Sequence, residues 1–430
     1  MAAPNDAPGP PTEAIVAVVA IRELFSGLAY DELRAATVSF DRRPCAHGGR
    51  LLGQGTDGEV YYAYNLRGME VAVKRMRPHV GADDVVHAAL RALDVEHDNV
   101  LPVWGVVHDA HSTCLVMPLM ECSLYEALED STQLPAHQRV VVARDIAAGL
   151  VALHGHQPDV IVHCNLKPGT VLLHHPNGKG WRARIASLAR SFVLPEGSEH
   201  VLTNVTGTLG FICPEYYATG KVRPSCDVYS LGVILLLLLT GMSWKDMFQD
   251  LVEQEHVHDR RGRRMPFCTI RPSLRDALQR GADAVPSVQM LARERGVKWS
   301  ALACAELLRL SAACLQLAGR DRPLARDVCA ALEALLALGE PAIEDNAASA
   351  TTEEAAGADE PIGEGHVHPA PEAANLAVVD AYTLFGSLRC RTRSCVQQLA
   401  TSYPELVRTA GGCWTGAATP TCFVPTTCAA

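Results

Sequence analysis

The sequence predicts an α+β molecule of two lobes, a small β-rich lobe followed by a larger helical one. Three observations carry that expectation. Between residues 50 and 117 apolar residues fall in short, strand-length runs. After Ser123 the pattern lengthens into helix-period runs. The chain of 430 residues is 48% hydrophobic and 20% charged, enough for a sizeable core.

In order along the chain, residues 1–12 are rich in Pro, Gly and Ala and are expected to be disordered. Residues 13–39 read as a helical N-terminal extension. The small lobe is placed at 40–117, with strands at Glu59–Tyr64, Glu70–Arg75, Val103–Val107 and Cys114–Met117 and a helix at Asp83–Leu93. The larger lobe, 121–338, is expected to be built on helices such as Gln138–Leu153 and Val228–Leu239. Nine acids and no Lys or Arg lie between Glu340 and Glu372, so 339–375 reads as an acidic linker and 376–430 as a Cys/Thr-rich tail.

Composition excludes several classes. The formal net charge of −10 argues against a nucleic-acid binder, and its nine linker acids leave the rest of the chain close to neutral. The longest strongly apolar run, Leu231 to Leu239, is about half the roughly 20 residues a spanning helix needs, so no membrane insertion is expected. Asp6 and Glu13 precede the apolar stretch Ile15–Ile21 where a signal peptide would carry basic residues. The fifteen cysteines include no Cys-x-x-Cys pair, which points to reduced thiols in a cytoplasmic setting and to no metal site.

Gly53-Gln54-Gly55-Thr-Asp-Gly58-Glu-Val60 is a glycine-rich turn that can bring backbone N–H groups close to polyphosphate, and alone it could equally be an ordinary hairpin. A strand-like run follows it rather than the helix of a dinucleotide fold, and then comes Val71-Ala72-Val73-Lys74, in a chain with only six lysines. Further on come Val162-His163-Cys164-Asn165-Leu166-Lys167-Pro168, Gly207-Thr208, Cys213-Pro214-Glu215, Asp227-Val228-Tyr229-Ser230-Leu231-Gly232 and Arg322-Pro323. This succession resembles the protein kinases from about Phe40 to Leu338. The lead-in Asp31 to Pro44 with Gly48-Gly49, and later Thr219-Gly220 and Leu239-Thr240-Gly241, resemble the interleukin-1-receptor-associated kinase (IRAK)/Pelle family and the related plant receptor-like kinases.

The resemblance implies roles for single residues. Gly53, Gln54, Gly55, Gly58, Val60, Ala72 and Lys74 would line a nucleotide site, with Met117 as gatekeeper and Met120 in the hinge. Lys167 and Thr208 would be the pair that marks Ser/Thr-type kinases. Glu215 and Arg322 would form a buried ion pair, and Asp227 would brace the catalytic loop. The same alignment exposes losses. Asn165 stands where the family has its base Asp, and an amide cannot accept the proton. Thr170 replaces the metal-binding Asn, and Ser187 replaces the principal magnesium-binding Asp. The Glu that should pair with Lys74 falls at Val86, with Asp83, Asp84 and Asp94 as alternatives in another register.

The expectation is therefore a pseudokinase of IRAK/Pelle type, a scaffold or regulator in innate-immune-like signalling. It would bind ATP weakly, make little use of Mg²⁺, and partner other kinases or signalling adaptors. The alternative is a Ser/Thr kinase with residual ATP-dependent activity. The family's N-terminal death domain is not expected ahead of Phe40. Ser198, Thr203 and Thr206 are the hydroxyls of the expected activation segment.

Overall fold

A computed structural model describes residues 21–344 apart from 56, 78–94, 110–111, 130–133, 179, 189–190, 249–254, 259–263 and 268–269. The expected helix Asp83–Leu93 and the tail with its cysteines lie outside the described residues.

The chain enters through helical residues 21–24 and α1 (Tyr30–Ala36). It then builds a five-stranded antiparallel sheet from β1 (Leu51–Gln54), β2 (Gly58–Leu66), β3 (Met69–Met76), β4 (Gly105–Asp109) and β5 (Ser112–Pro118), in the order β1-β2-β3-β5-β4. Alternation along the strands sends residues to opposite faces. Tyr61, Ala63, Val71, Val73, Cys114 and Val116 pack with Ile21, Phe25, Leu33 and Phe40 in one cluster, so the N-terminal extension roofs the outer face of the sheet. Phe25 stacks on Trp104 with centroids 6.1 Å apart. Arg67, in the turn between β2 and β3, holds the extension down, donating to the carbonyls of Leu24 and Ser26 at 2.6 and 2.7 Å and to Glu32 at 2.9 Å. The extension is thus part of the small lobe's core, where the sequence had marked it off at 39.

The larger lobe begins with β6 (Cys122–Ser123), α2 (Leu124–Glu129) and α3 (Ala136–His154). Short strands β7 (Val160–Val162), β8 (Val171–His174), β9 (Arg182–Ile185), β10 (Phe192–Leu194) and β11 (Val201–Leu202) follow, then α4 (Pro214–Thr219) and β12 (Lys221–Val222). Helix α5 (Pro224–Thr240) starts with Pro at its first position and stops at Gly241, whose φ of +66° suits the left-handed cap. It is apolar all round and buried from Cys226 to Thr240, as a central core helix must be. Gly232 lets the later helix Ala301–Cys314 approach, since a Cβ there would lie 2.6 Å from Cys314. Among the described residues no helix is long and apolar enough to cross a membrane.

The end of the larger lobe also differs from the sequence reading. The body continues past 338 to Glu344: Ile343 is fully buried, its carbonyl accepts the Ser300 N–H at 2.8 Å, and Glu344 accepts the His137 N–H at 3.1 Å. His174 ends strand β8 and is buried, which pushes its imidazole pKa down to about 3.

Candidate functional site

The inner face of the small-lobe sheet carries the nucleotide-type residues. Val60 sits opposite Lys74 and Ala72 opposite Met117 in the ladder, while Ala72 and Lys74 are two apart on β3. Val60, Ala72, Lys74 and Met117 therefore share the face turned away from the extension. Met120 lies just beyond β5, half-buried. Gly53 and Gln54 close β1 against Val60 and Glu59, and the Gly55 N–H reaches back to the Gly58 carbonyl at 2.9 Å. Gly58 is required by packing, since a Cβ there would lie 2.3 Å from the Arg75 carbonyl oxygen; at Gly53 the space is open. Glu59, next to Gly58, is gripped by Arg42 from the lead-in and by the Tyr61 hydroxyl, which fixes the base of the turn. That contact was not read from sequence, although Arg42 belongs to the segment that carried the resemblance.

Lys74 crosses to the other lobe. Its Nζ donates to Ser187 Oγ at 2.8 Å, and the lysine is nearly buried. Ser187 is held with φ +73°, a left-handed conformation uncommon for a residue with a Cβ. Its turn is fixed on both sides. The Ile185 N–H donates to the Asn99 carbonyl and the Leu101 N–H to the Ile185 carbonyl, both at 2.8 Å, which stitches the small lobe to β9. The Ala186 N–H donates to the Thr170 carbonyl at 2.8 Å. Val86, Asp83, Asp84 and Asp94, the positions weighed as acidic partners of Lys74, lie outside the described residues.

The loop between β7 and β8 is organised by Asp227. This fully buried carboxylate accepts the N–H groups of His163 and Cys164, each at 2.8 Å, and meets His154 Nε2 at 3.0 Å. Cys164 adopts φ +60° to allow it. His163 links the loop to the Ser187 turn. Its Nδ1 accepts the Asn165 N–H at 3.2 Å, so its Nε2 carries the proton and donates to the Ala186 carbonyl at 2.9 Å. Burial holds the His163 pKa below its ordinary value, which keeps the ring neutral.

Asn165, Lys167 and Thr208 converge. Lys167 Nζ donates to Thr208 Oγ1 at 2.9 Å, and that hydroxyl donates to Asn165 Oδ1 at 3.1 Å. Thr170 turns inward: its Oγ1 lies 3.1 Å from the Asn165 carbonyl and 3.0 Å from that of Lys167, and it accepts the Lys167 N–H at 3.0 Å. Its hydroxyl closes the loop on itself.

The donor set decides what the cleft can hold. A hard dication wants several carboxylate or carbonyl oxygens. At the two metal positions stand a Ser hydroxyl facing a lysine ammonium and a Thr hydroxyl spent on backbone, so the residues do not fit Mg²⁺. Among the described residues no cluster of His, Cys, Asp or Glu has the makings of a metal site. A nucleotide fits better, with the glycine turn and Lys74 supplying donors for phosphate and Ala72, Val60 and Met117 an apolar wall.

Of the architectural residues, Glu215 and Arg322 do not form the expected ion pair. Arg322 is buried over the Tyr229 ring, and its three nitrogens donate to the carbonyls of Gln316, Ser225 and Leu317 at 2.7–2.9 Å. Glu215 instead accepts the Gly319 N–H at 2.9 Å and lies 3.6 Å from Arg223, just ahead of α5. Arg223 is nearer in space, and Arg322 is already held by three carbonyls. In the segment before α4, Ser198 is exposed, the Thr203 N–H donates to the Gly220 carbonyl at 3.0 Å, and the Thr206 N–H to the Tyr216 hydroxyl at 3.0 Å.

Comparisons with known proteins agree with this geometry. The profile described as protein kinase domain matches residues 46–331. The chain is 33% identical over 236 residues to Receptor-like kinase TMK2 of Arabidopsis thaliana, covering 53% of this chain and 25% of that protein. To Wall-associated receptor kinase 2 of the same plant it is 29% identical over 296 residues, 67% of this chain and 37% of the relative. To Serine/threonine-protein kinase PBL27 it is 31% identical over 312 residues, 70% of this chain and 56% of the relative. The chain spans less than two thirds of the length of each of these relatives.

Proposed function

Since the chain belongs to the protein kinase family, with plant receptor-like kinases among its relatives, we propose that it is a pseudokinase of IRAK/Pelle type that signals through its surface rather than by phosphoryl transfer. The observation that carries the reading is the Lys74–Ser187 contact at 2.8 Å. Phosphoryl transfer depends on magnesium to neutralise the phosphates and on a base to orient the nucleophile. Here the metal carboxylate is a hydroxyl and the base is an amide whose Oδ1 accepts from Thr208. What remains is a kinase frame whose loops are cross-braced by Asp227, His163 and Thr170.

In this reading ATP binds weakly through the glycine turn and Lys74, with little help from Mg²⁺. The protein acts in the cytoplasm as a scaffold or regulator of an innate-immune-like pathway, and its partners are other kinases or signalling adaptors. The retained Lys167–Thr208–Asn165 chain favours one second reading, a Ser/Thr kinase with residual activity. Thermal shift separates the nucleotide claims. ATP is expected to raise the unfolding midpoint equally with Mg²⁺ or with EDTA, and Lys74→Met to abolish the rise. A rise seen only with Mg²⁺ would contradict the reading, and a flat response would leave a scaffold without nucleotide.

A further inference from the structure

An apolar cavity opens beside α2. Tyr125, Leu128 and Glu129 of α2, Pro168 from the loop between β7 and β8, Leu237 of α5 and Trp244 just after α5 line about 280 Å³ of space that is open to solvent. Pro168 follows Lys167, so the cavity adjoins the Lys167–Thr208–Asn165 chain. Packed rings extend its wall: Trp244 lies 6.2 Å from Phe248, and Phe248 lies 6.2 Å from Phe211, two residues after the exposed Leu209. One edge is acidic. Glu126 and Glu129, three apart on α2, are both exposed and neighbours on its surface. Each has a neutral partner, Ser123 for Glu126 and the Tyr125 hydroxyl for Glu129, and among the described residues neither meets a cation.

The described chain ends within reach of this cavity. Glu344 accepts the His137 N–H in the first turn of α3, and His137 follows Glu129 by eight residues, so the two are at most about 28 Å apart. The sequence continues for 86 residues beyond Glu344. Three of the four arginines in that stretch, Arg389, Arg391 and Arg393, come directly after the run Tyr382-Thr383-Leu384-Phe385-Gly386-Ser387-Leu388. The later aromatics Trp414 and Phe423 follow the last charged residue, Arg408, and so bring no cation with them. Phe385 comes 41 residues after Glu344, which allows about 140 Å at full extension, so length sets no limit.

We propose that the chain's own segment 377–393 docks here, with Phe385 in the cavity against Trp244 and Tyr125, Arg389 facing Glu129, and Arg391 and Arg393 turned toward Glu126. An aromatic ring suits a wall of indole, phenol, proline and leucine, and the arginines supply the cations that the α2 edge lacks. The tether makes the contact intramolecular, so a modest interaction is enough to hold it. The docked segment covers the surface beside Lys167 and Thr208 and competes with any partner for it. This holds whether or not the cleft transfers phosphate.

Hydrogen exchange of the full chain, followed by peptide, tests the contact. Phe385→Asp should speed exchange several-fold at 124–129 and 243–248 and leave the small-lobe sheet unchanged. Glu129→Arg should do the same, and adding Arg389→Glu to it should restore protection, a rescue that a purely structural role for Glu129 would not give. Exchange in Phe385→Asp identical to wild type overturns the proposal and leaves the cavity to a separate partner. Protection that fades when wild type is diluted also overturns it, because the occupant would then be the tail of a second copy.

Discussion

At Ser187 a side chain without charge faces the one ammonium that kinases aim at phosphate, and two substitutions probe that contact. Ser187→Asp puts a carboxylate beside Lys74 in a left-handed position that Asp tolerates. ATP binding should then become Mg²⁺-dependent, tighter by about tenfold, or ~1.4 kcal/mol; calorimetric titration with and without Mg²⁺ reads it directly. Asp227 shows the opposite case, a charge kept for architecture. Asp227→Ala strands two buried N–H groups of the catalytic loop, each costing about 1–3 kcal/mol, so urea unfolding should show a loss of about 2–6 kcal/mol. The meeting of Asn165 with Lys167 and Thr208 was legible in sequence, because motif order groups the three. The partners of Glu215 and Arg322 were not, because spacing says nothing about which of two arginines lies nearer or which is already held by carbonyls.

The elements were legible to a different degree. Three strands followed from alternation but ran longer at their ends: β2 reaches Leu66 where Tyr64 was expected, β3 runs from Met69 to Met76, and β5 from Ser112 to Pro118; the strand expected at Val103–Val107 lies two residues later, at Gly105–Asp109. β1 was missed, since its Leu-Leu-Gly-Gln has neither β-branching nor strict alternation. The apolar spacing of the extension was visible, but its docking on the sheet depends on Arg67, far along the chain. Leu33, fully buried in that joint, gives the check. Leu33→Ala should cost about 2–5 kcal/mol in denaturant unfolding. If the extension were merely an appendage, the loss would be near zero.

Across the whole molecule, stability should fall in acid. Burial lowers the pKa of His163 and takes that of His174 to about 3, so the folded protein binds fewer protons than the unfolded chain below the ordinary histidine value. Their contribution is complete above about pH 6.5 and is lost as pH falls toward the folded values, by up to about 1.4 kcal/mol per histidine per pH unit. Urea midpoints at pH 7.5 and 5.5 should show the drop, and an unchanged midpoint would deny that the rings stay neutral. The charge of −10 proved to say little about the body, a kinase frame whose cleft we propose lacks its metal ligands. The most direct test of that conclusion is transfer of labelled γ-phosphate from ATP by the purified full chain, to itself and to a Ser/Thr peptide, in Mg²⁺ and in Mn²⁺. Wild type should give no more label than Lys74→Met; transfer that Lys74→Met abolishes would contradict it.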